Sequence, residues 1–138
     1  MKNLILIDEF LCILFLSPSH PGSVNDKTIA DATPYPLPKG SYLMHDLGFL
    51  GFDLPGVTII MPHKKPPGEE LTDEQKTENR QVSRIRVFIE HVIASIKRCR
   101  MVRDTIRLIK EGTRDLVMNI CCGLHNLRVD LQPWGSMV

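Results

Sequence analysis

The chain has 138 residues, 43% of them apolar and 24% charged, with four cysteines and a formal net charge of +1. That length suits one domain with a single core, and the composition excludes a disordered, collagen-like or disulfide-stapled chain. The balanced total hides an asymmetry: Arg80 to Lys110 holds nine Lys/Arg against two acids, and the remaining residues hold eight against fourteen. Such a block suits a polyanionic partner, and an ordinary solvated helix face explains it equally well. Cys12, Cys99, Cys121 and Cys122 form no CxxC pair and no disulfide-like spacing, which fits a reducing compartment.

NLILIDEFLCILFLSP opens the chain as two apolar strands with a reversal at Asp8-Glu9. The acidic pair interrupts the apolar run too early for a signal peptide, and no stretch reaches a membrane span. The expected location is therefore cytosolic, and nucleoid-associated if the source is bacterial. Strands this apolar are expected to be buried on both faces. Pro21-Gly22 is a turn, and Ser23-x-x-Asp26 reads as a capping box opening a short helix to about Ala32. Three prolines make TPYPLPKG a loop. SYLMHD is a short strand ending at Asp46, LGFLGFDLPG a Gly-rich connection and VTIIMP a further strand.

After the loop HKKPPGEEL, Thr72-x-x-Gln75 is a second capping box. It predicts a long helix from about Asp73 to about Arg100, and a shorter segment spans Arg103 to Lys110. Gly112-Thr113 breaks and re-caps the chain. Leu116, Val117, Ile120, Leu124 and Leu127 then mark the expected core face of a last helix. The order predicts an α/β fold with an open sheet. The domain is expected over residues 1–132, with 133–138 a tail.

On a helical wheel, Ile85, Phe88, Ile89, Val92 and Ile96 form the core stripe of the long helix. Arg86, Glu90 and Lys97 fall within about 40° of one another, roughly 120° from that stripe. An Arg86–Glu90 pair one turn apart is by itself only a weak helix-surface interaction. Glu90 gains chemical meaning if Asp46 joins it. Two carboxylates converging on Mg²⁺ leave coordination positions for water and phosphate oxygens, and Arg86 and Lys97 would hold neighbouring phosphates. Asp26 reads first as a helix-start residue. Cys121 and His125, one turn apart, lack the further ligands a metal needs.

Four stretches together resemble the catalytic domain of DDE-superfamily transposases, of the insertion-sequence and Harbinger-like type. LFLSPSHPGSVNDKTIAD is similar to the family's strand, Pro-Gly-Ser turn and helix. MHDLGFLG is similar to the segment of the second catalytic Asp, with Asp46, Gly48 and Phe49 in place of Asp-x-Gly-aromatic. MPHKKPPGEELTDEQKTENR resembles the basic loop and helix entry. SRIRVFIEHVIASIKR resembles the signature Tyr-x2-Arg-x3-Glu-x6-Lys, with Ser83 at the tyrosine position and Arg86, Glu90 and Lys97 at the others.

The resemblance implies an RNase H-like mixed sheet with flanking helices and Asp46 and Glu90 as catalytic metal ligands for Mg²⁺, Mn²⁺ being possible. It also implies Arg86, Lys97, Lys64 and Lys65 as DNA-binding residues, transposon ends as substrate and a possible homo-oligomer. The family's first catalytic Asp lies on a strand before those seen here. The expectation is therefore a fold truncated at the N-terminus and inactive alone, with a non-catalytic DNA-binding or interaction remnant as the alternative.

Overall fold

The computed structural model describes residues 1–33, 37–103 and 112–135. The chain forms two compact units: Met1–Pro21 with Ile85–Val138, and Gly22–Arg84.

The first unit begins with an antiparallel hairpin of β1 (Ile5–Ile7) and β2 (Ile13–Leu16), paired Ile5 with Leu16 and Leu6 with Phe15. Its reversal is held by two backbone hydrogen bonds between Asp8 and Leu11–Cys12 and by the Asp8 side chain. Asp8 Oδ1 accepts from the Phe10 N–H at 3.0 Å and the Cys12 N–H at 2.9 Å. These bonds carry the turn through Leu11, whose φ of 70° is the only positive value at a non-glycine among the described residues. A leucine rarely adopts that conformation, so its surroundings must enforce it. Leu11 is fully buried, and the last helix supplies the constraint.

That helix, α4 (Thr113–Leu131), starts at Gly112, whose φ of 78° suits a residue without a Cβ. His125 is buried within it. Its Nε2–H donates to the Leu11 carbonyl at 2.8 Å. With the proton there, Nδ1 takes the Ser95 hydroxyl at 3.0 Å, and Ser95 Oγ accepts from Arg128 Nη1 at 2.8 Å. The next residue, Asn126, clamps β2: Oδ1 accepts from the Ile13 N–H at 2.8 Å and Nδ2 donates to the Ile13 carbonyl at 2.9 Å. Leu11, Ile13, Val92, Ile96, Val117, Cys121 and Cys122 form the core beneath these bonds, with Phe88 and Ile5 packed against it. Burying each large apolar side chain there contributes about 1.5–3 kcal/mol.

The second unit begins with α1 (Asp26–Ala32). Its cap is Asn25, whose side chain accepts from the Lys27 N–H at 2.9 Å, so the capping residue is not Ser23 as its spacing suggests. β3 (Tyr42–Met44) and β4 (Thr58–Ile60) pair in parallel, with Leu43 opposite Ile59. Ile29, Ala30, Leu43, Phe52 and Val82 are its buried apolar side chains.

The long helix α2 (Asp73–Lys97) opens with the predicted reciprocal cap. The Thr72 N–H donates to Gln75 Oε1 at 3.1 Å, and the Gln75 N–H to Thr72 Oγ1 at 3.2 Å. A single turn, α3 (Arg100–Arg103), follows. The predicted segment from Arg103 to Lys110 lies, beyond Arg103, outside the described residues.

The α/β order of elements agrees with the sequence reading, and three details do not. Among the described residues, β1 pairs only with β2 and β3 only with β4, in two two-stranded sheets. β2 is not buried on both faces, because Leu14 is 60% exposed. The face of α4 is also reassigned: it buries Val117, Cys121, Cys122, His125 and Val129, while Leu116, Ile120, Leu124 and Leu127 face solvent. The polar pair His125 and Asn126 decides that orientation, since their bonds to the hairpin can be made only from the inner side. No helix of the described residues is long and apolar enough to cross a membrane.

Candidate functional site

Asp46 stands two residues beyond β3 and caps the single 3-10 turn Leu47–Phe49, accepting from the Leu47 N–H at 2.7 Å through Oδ1. The carboxylate is thus oriented at the surface by the backbone that follows it. Gly48 explains the Asp-x-Gly spacing: a Cβ there would stand 3.0 Å from Asp26 Oδ2. Helix α1 therefore brings a second carboxylate against the Asp46 turn. Sequence reasoning put Asp26 first as a helix-start residue. The signal that finds it is the pairing of an Asp at a helix start with a glycine that admits its side chain.

His45 lies behind the turn, 5.2 Å from the Phe49 ring and 5.9 Å edge-on to Phe52. Both ring nitrogens are buried without a hydrogen-bond partner among the described residues. Burial lowers its pKa below the ordinary 6.5, opposed by the neighbouring Asp46. The aromatic at Phe49 thus walls the inner side of the turn, and the charged group faces outward.

Arg86, Glu90 and Lys97 are all exposed and share one flank of α2, as their spacing requires. Among the described residues no ion pair includes Glu90. Arg80, Arg84, Arg98 and Arg100 are exposed, so these members of the basic block face solvent. Lys76, Arg80 and Arg84 also flank an open groove floored by Leu71, Asn79 and Ser83.

The basic loop is fixed rather than loose. Asn79 Oδ1 accepts from the His63 N–H at 2.7 Å, its Nδ2 donates to the His63 carbonyl at 3.1 Å, and the His63 ring meets Glu78. Lys65 pairs with Glu70 at 2.8 Å, and both groups are exposed, so this pair contributes little to stability. Lys64 forms no ion pair among the described residues and is the more available cation.

Asp46 belongs to the second unit and Glu90 to the first. Among the described residues no three His, Cys, Asp or Glu side chains come together as a metal-binding group. Cys121 and His125 are accounted for by the core: His125 spends both nitrogens on Leu11 and Ser95. Burial, and then the neighbouring Cys99, push the Cys121 thiol up to about 12.

A family described as DDE superfamily endonuclease matches residues 1–126. The chain belongs to that family. Two longer relatives align with part of the chain. A protein of Microchaete diplosiphon described as a probable transposase for insertion sequence element IS702 is 32% identical over 87 residues. That match covers 63% of this chain and 31% of the relative. A protein of Streptomyces albus G described as a putative transposase for insertion sequence element IS112 is 31% identical over 74 residues, covering 53% of this chain and 28% of the relative. The chain spans about a third of the length of these relatives or less. No solved structure matches this chain.

Proposed function

We propose that this chain carries the second and third carboxylates, Asp46 and Glu90, of a DDE metal site in an RNase H-like mixed sheet with flanking helices. The chemistry served is cleavage and transfer of DNA strands at transposon ends. The observation that supports it most is the exposed flank of α2, where Arg86, Glu90 and Lys97 keep the family's spacing and face solvent together.

The donor chemistry fits a divalent cation. Two exposed carboxylates are hard oxygen donors, the usual protein share of an Mg²⁺ shell, and Mn²⁺ accepts the same set. When bound, such ions activate water and stabilise the leaving oxygen of an in-line displacement. Asp46 presents a carboxylate pre-oriented by its own turn. Arg86 grips a phosphate through its planar fork, and Lys97 adds a point charge further along the same flank. Lys64 and Lys65 add contacts to the DNA backbone, with Lys64 the less encumbered. Asp46 and Glu90 alone hold such a cation weakly, and without a third carboxylate they leave DNA uncut.

Titrating Mn²⁺ into the isotope-labelled chain tests the shared cation. Amide signals around Asp46 and Glu90 should broaden together, and Asp46→Asn should remove both effects. Broadening of one region alone would refute a common site. Nicking of supercoiled DNA with Mg²⁺ or Mn²⁺ that vanishes in Glu90→Gln would refute inactivity.

The exposed Arg80, Arg84, Arg86, Arg98 and Arg100 favour a second reading, DNA binding without catalysis. Its signature is salt-sensitive binding, with Arg86→Ala and Lys97→Ala together lowering the salt slope by about 2. Affinity that does not change with salt would exclude it.

A further inference from the structure

The outward face of α4 carries an apolar stripe that the core does not use. Leu116, Ile120, Leu124, Leu127 and Leu131 are between 47% and 74% exposed, although each is a residue type that ordinarily enters a core. On the wheel they fall within about 80° of one another, opposite the buried Val117, Cys121, His125 and Val129. Single exposed leucines are ordinary on a monomer, but a continuous row along a 19-residue helix is not.

Two features say what covers it. The first is Gly123, within the exposed row. Among the described residues a Cβ there would meet nothing within 4 Å, so none of their contacts requires the glycine. Glycine also weakens a helix interior relative to alanine, so the position gains only if another backbone approaches closely. The second is the order of the row. Read from either end, it is the same pattern. Reversing the helix about the point between Gly123 and Leu124 puts Leu116 on Leu131, Ile120 on Leu127 and Gly123 on Leu124. A stripe that maps onto itself under reversal is what an isologous two-fold interface requires.

We propose that α4 pairs antiparallel with α4 of a second copy of this chain. The two-fold axis passes between Gly123 and Leu124, each Leu124 seats over the partner copy's glycine at the same register, and the flanking pairs close the seam. Antiparallel packing also sets each helix N-terminus against the other's C-terminus, so the two macrodipoles attract. The five side chains offer roughly 500 Å² per copy, and about 1,000 Å² for a pair, which is where a specific interface begins. Asn119 and Asp130 border the seam as its polar rim.

The arrangement is tested by sedimentation of the 138-residue chain under reducing conditions across a wide concentration range. The chain should sediment at twice its own mass. Ile120→Lys and Leu127→Glu, each alone, should weaken association by roughly a hundredfold or more, because each dimer then seats two charges against leucine or isoleucine. Mixing the two variants should restore the dimer. In the mixed pair the introduced lysine faces the introduced glutamate, and the native Leu127 of one copy faces the native Ile120 of the other. Unchanged circular dichroism shows that both variants fold, since the substituted positions are exposed. A wild-type chain that stays monomeric overturns the proposal and leaves the face to another segment or protein. So does a dimer that survives both substitutions, whose interface must lie elsewhere. Singles that dissociate and fail to recover on mixing overturn the antiparallel register.

Discussion

Asn126→Ala removes both hydrogen bonds that tie α4 to the backbone of Ile13, at 2.8 and 2.9 Å. Ile13 is 8% exposed, so water replaces those bonds poorly. Each half-buried peptide group left without a partner costs about 1–3 kcal/mol. Alanine returns about half a kcal/mol through its better helix propensity. The net loss expected is therefore about 1.5–5.5 kcal/mol, a large share of the stability of a unit this size. Asn126→Asp keeps an acceptor for the Ile13 N–H and sets a second oxygen against the Ile13 carbonyl, so it should be at least as damaging as Ala.

The assay is urea unfolding followed by the single tryptophan. Trp134 sits edge-on to His125, 5.6 Å away, and so reports on the unit that contains the clamp. Hydrogen exchange at the Ile13 amide supplies a local reading, and its protection should fall in both variants. A midpoint shift worth less than about 0.5 kcal/mol with Ile13 still protected would refute the clamp.

Gly48→Ala places a methyl 3.0 Å from Asp26 Oδ2 and should destabilise the second unit by about 1 kcal/mol. Adding Asp26→Ala should recover most of the loss in a double-mutant cycle, and additivity of the two changes would contradict the contact. The reciprocal cap at Thr72 and Gln75 predicts a loss of about 1 kcal/mol for Thr72→Ala, visible as fraying of the first turn of α2 by hydrogen exchange. Cys121, pushed up to about 12 from its ordinary 9.0, should resist alkylation at about pH 8 in the folded chain and react once unfolded. The sign of its linkage follows. The unfolded thiol ionises near 9.0 and the folded one at about 12, so its contribution is intact below the first value and is lost as the pH rises toward the second. Cys121→Ala should flatten that alkaline fall in urea midpoint.

Features set by neighbouring residues were legible in the sequence. The capping box at Thr72, the reversal at Asp8 and the shared flank of Arg86, Glu90 and Lys97 each depend on spacing within a few turns of chain. Features set by distant partners were not. Helix α4 carries two stripes of helical period, one of leucines and one of Val117, Cys121, Cys122, His125 and Val129, and hydropathy favours the first. The second faces inward because His125 and Asn126 reach Leu11 and Ile13, more than a hundred residues earlier in the chain. The same limit hid Asp26. Its capping role is local, whereas its approach to Gly48 depends on how α1 meets the turn after β3.

The chain uses one device twice. Asn126 on Ile13 and Asn79 on His63 each meet the N–H and carbonyl of a single residue with a side-chain amide, as a neighbouring strand would. Such a grip reads only the peptide group and ignores the side chain it carries. Positions 13 and 63 can therefore drift in sequence at no cost to the grip. Positions 79 and 126 cannot, because a shorter or longer amide misses one of the two groups and a carboxylate repels one. In other members of this family, variation should concentrate on the gripped side and spare the two asparagines.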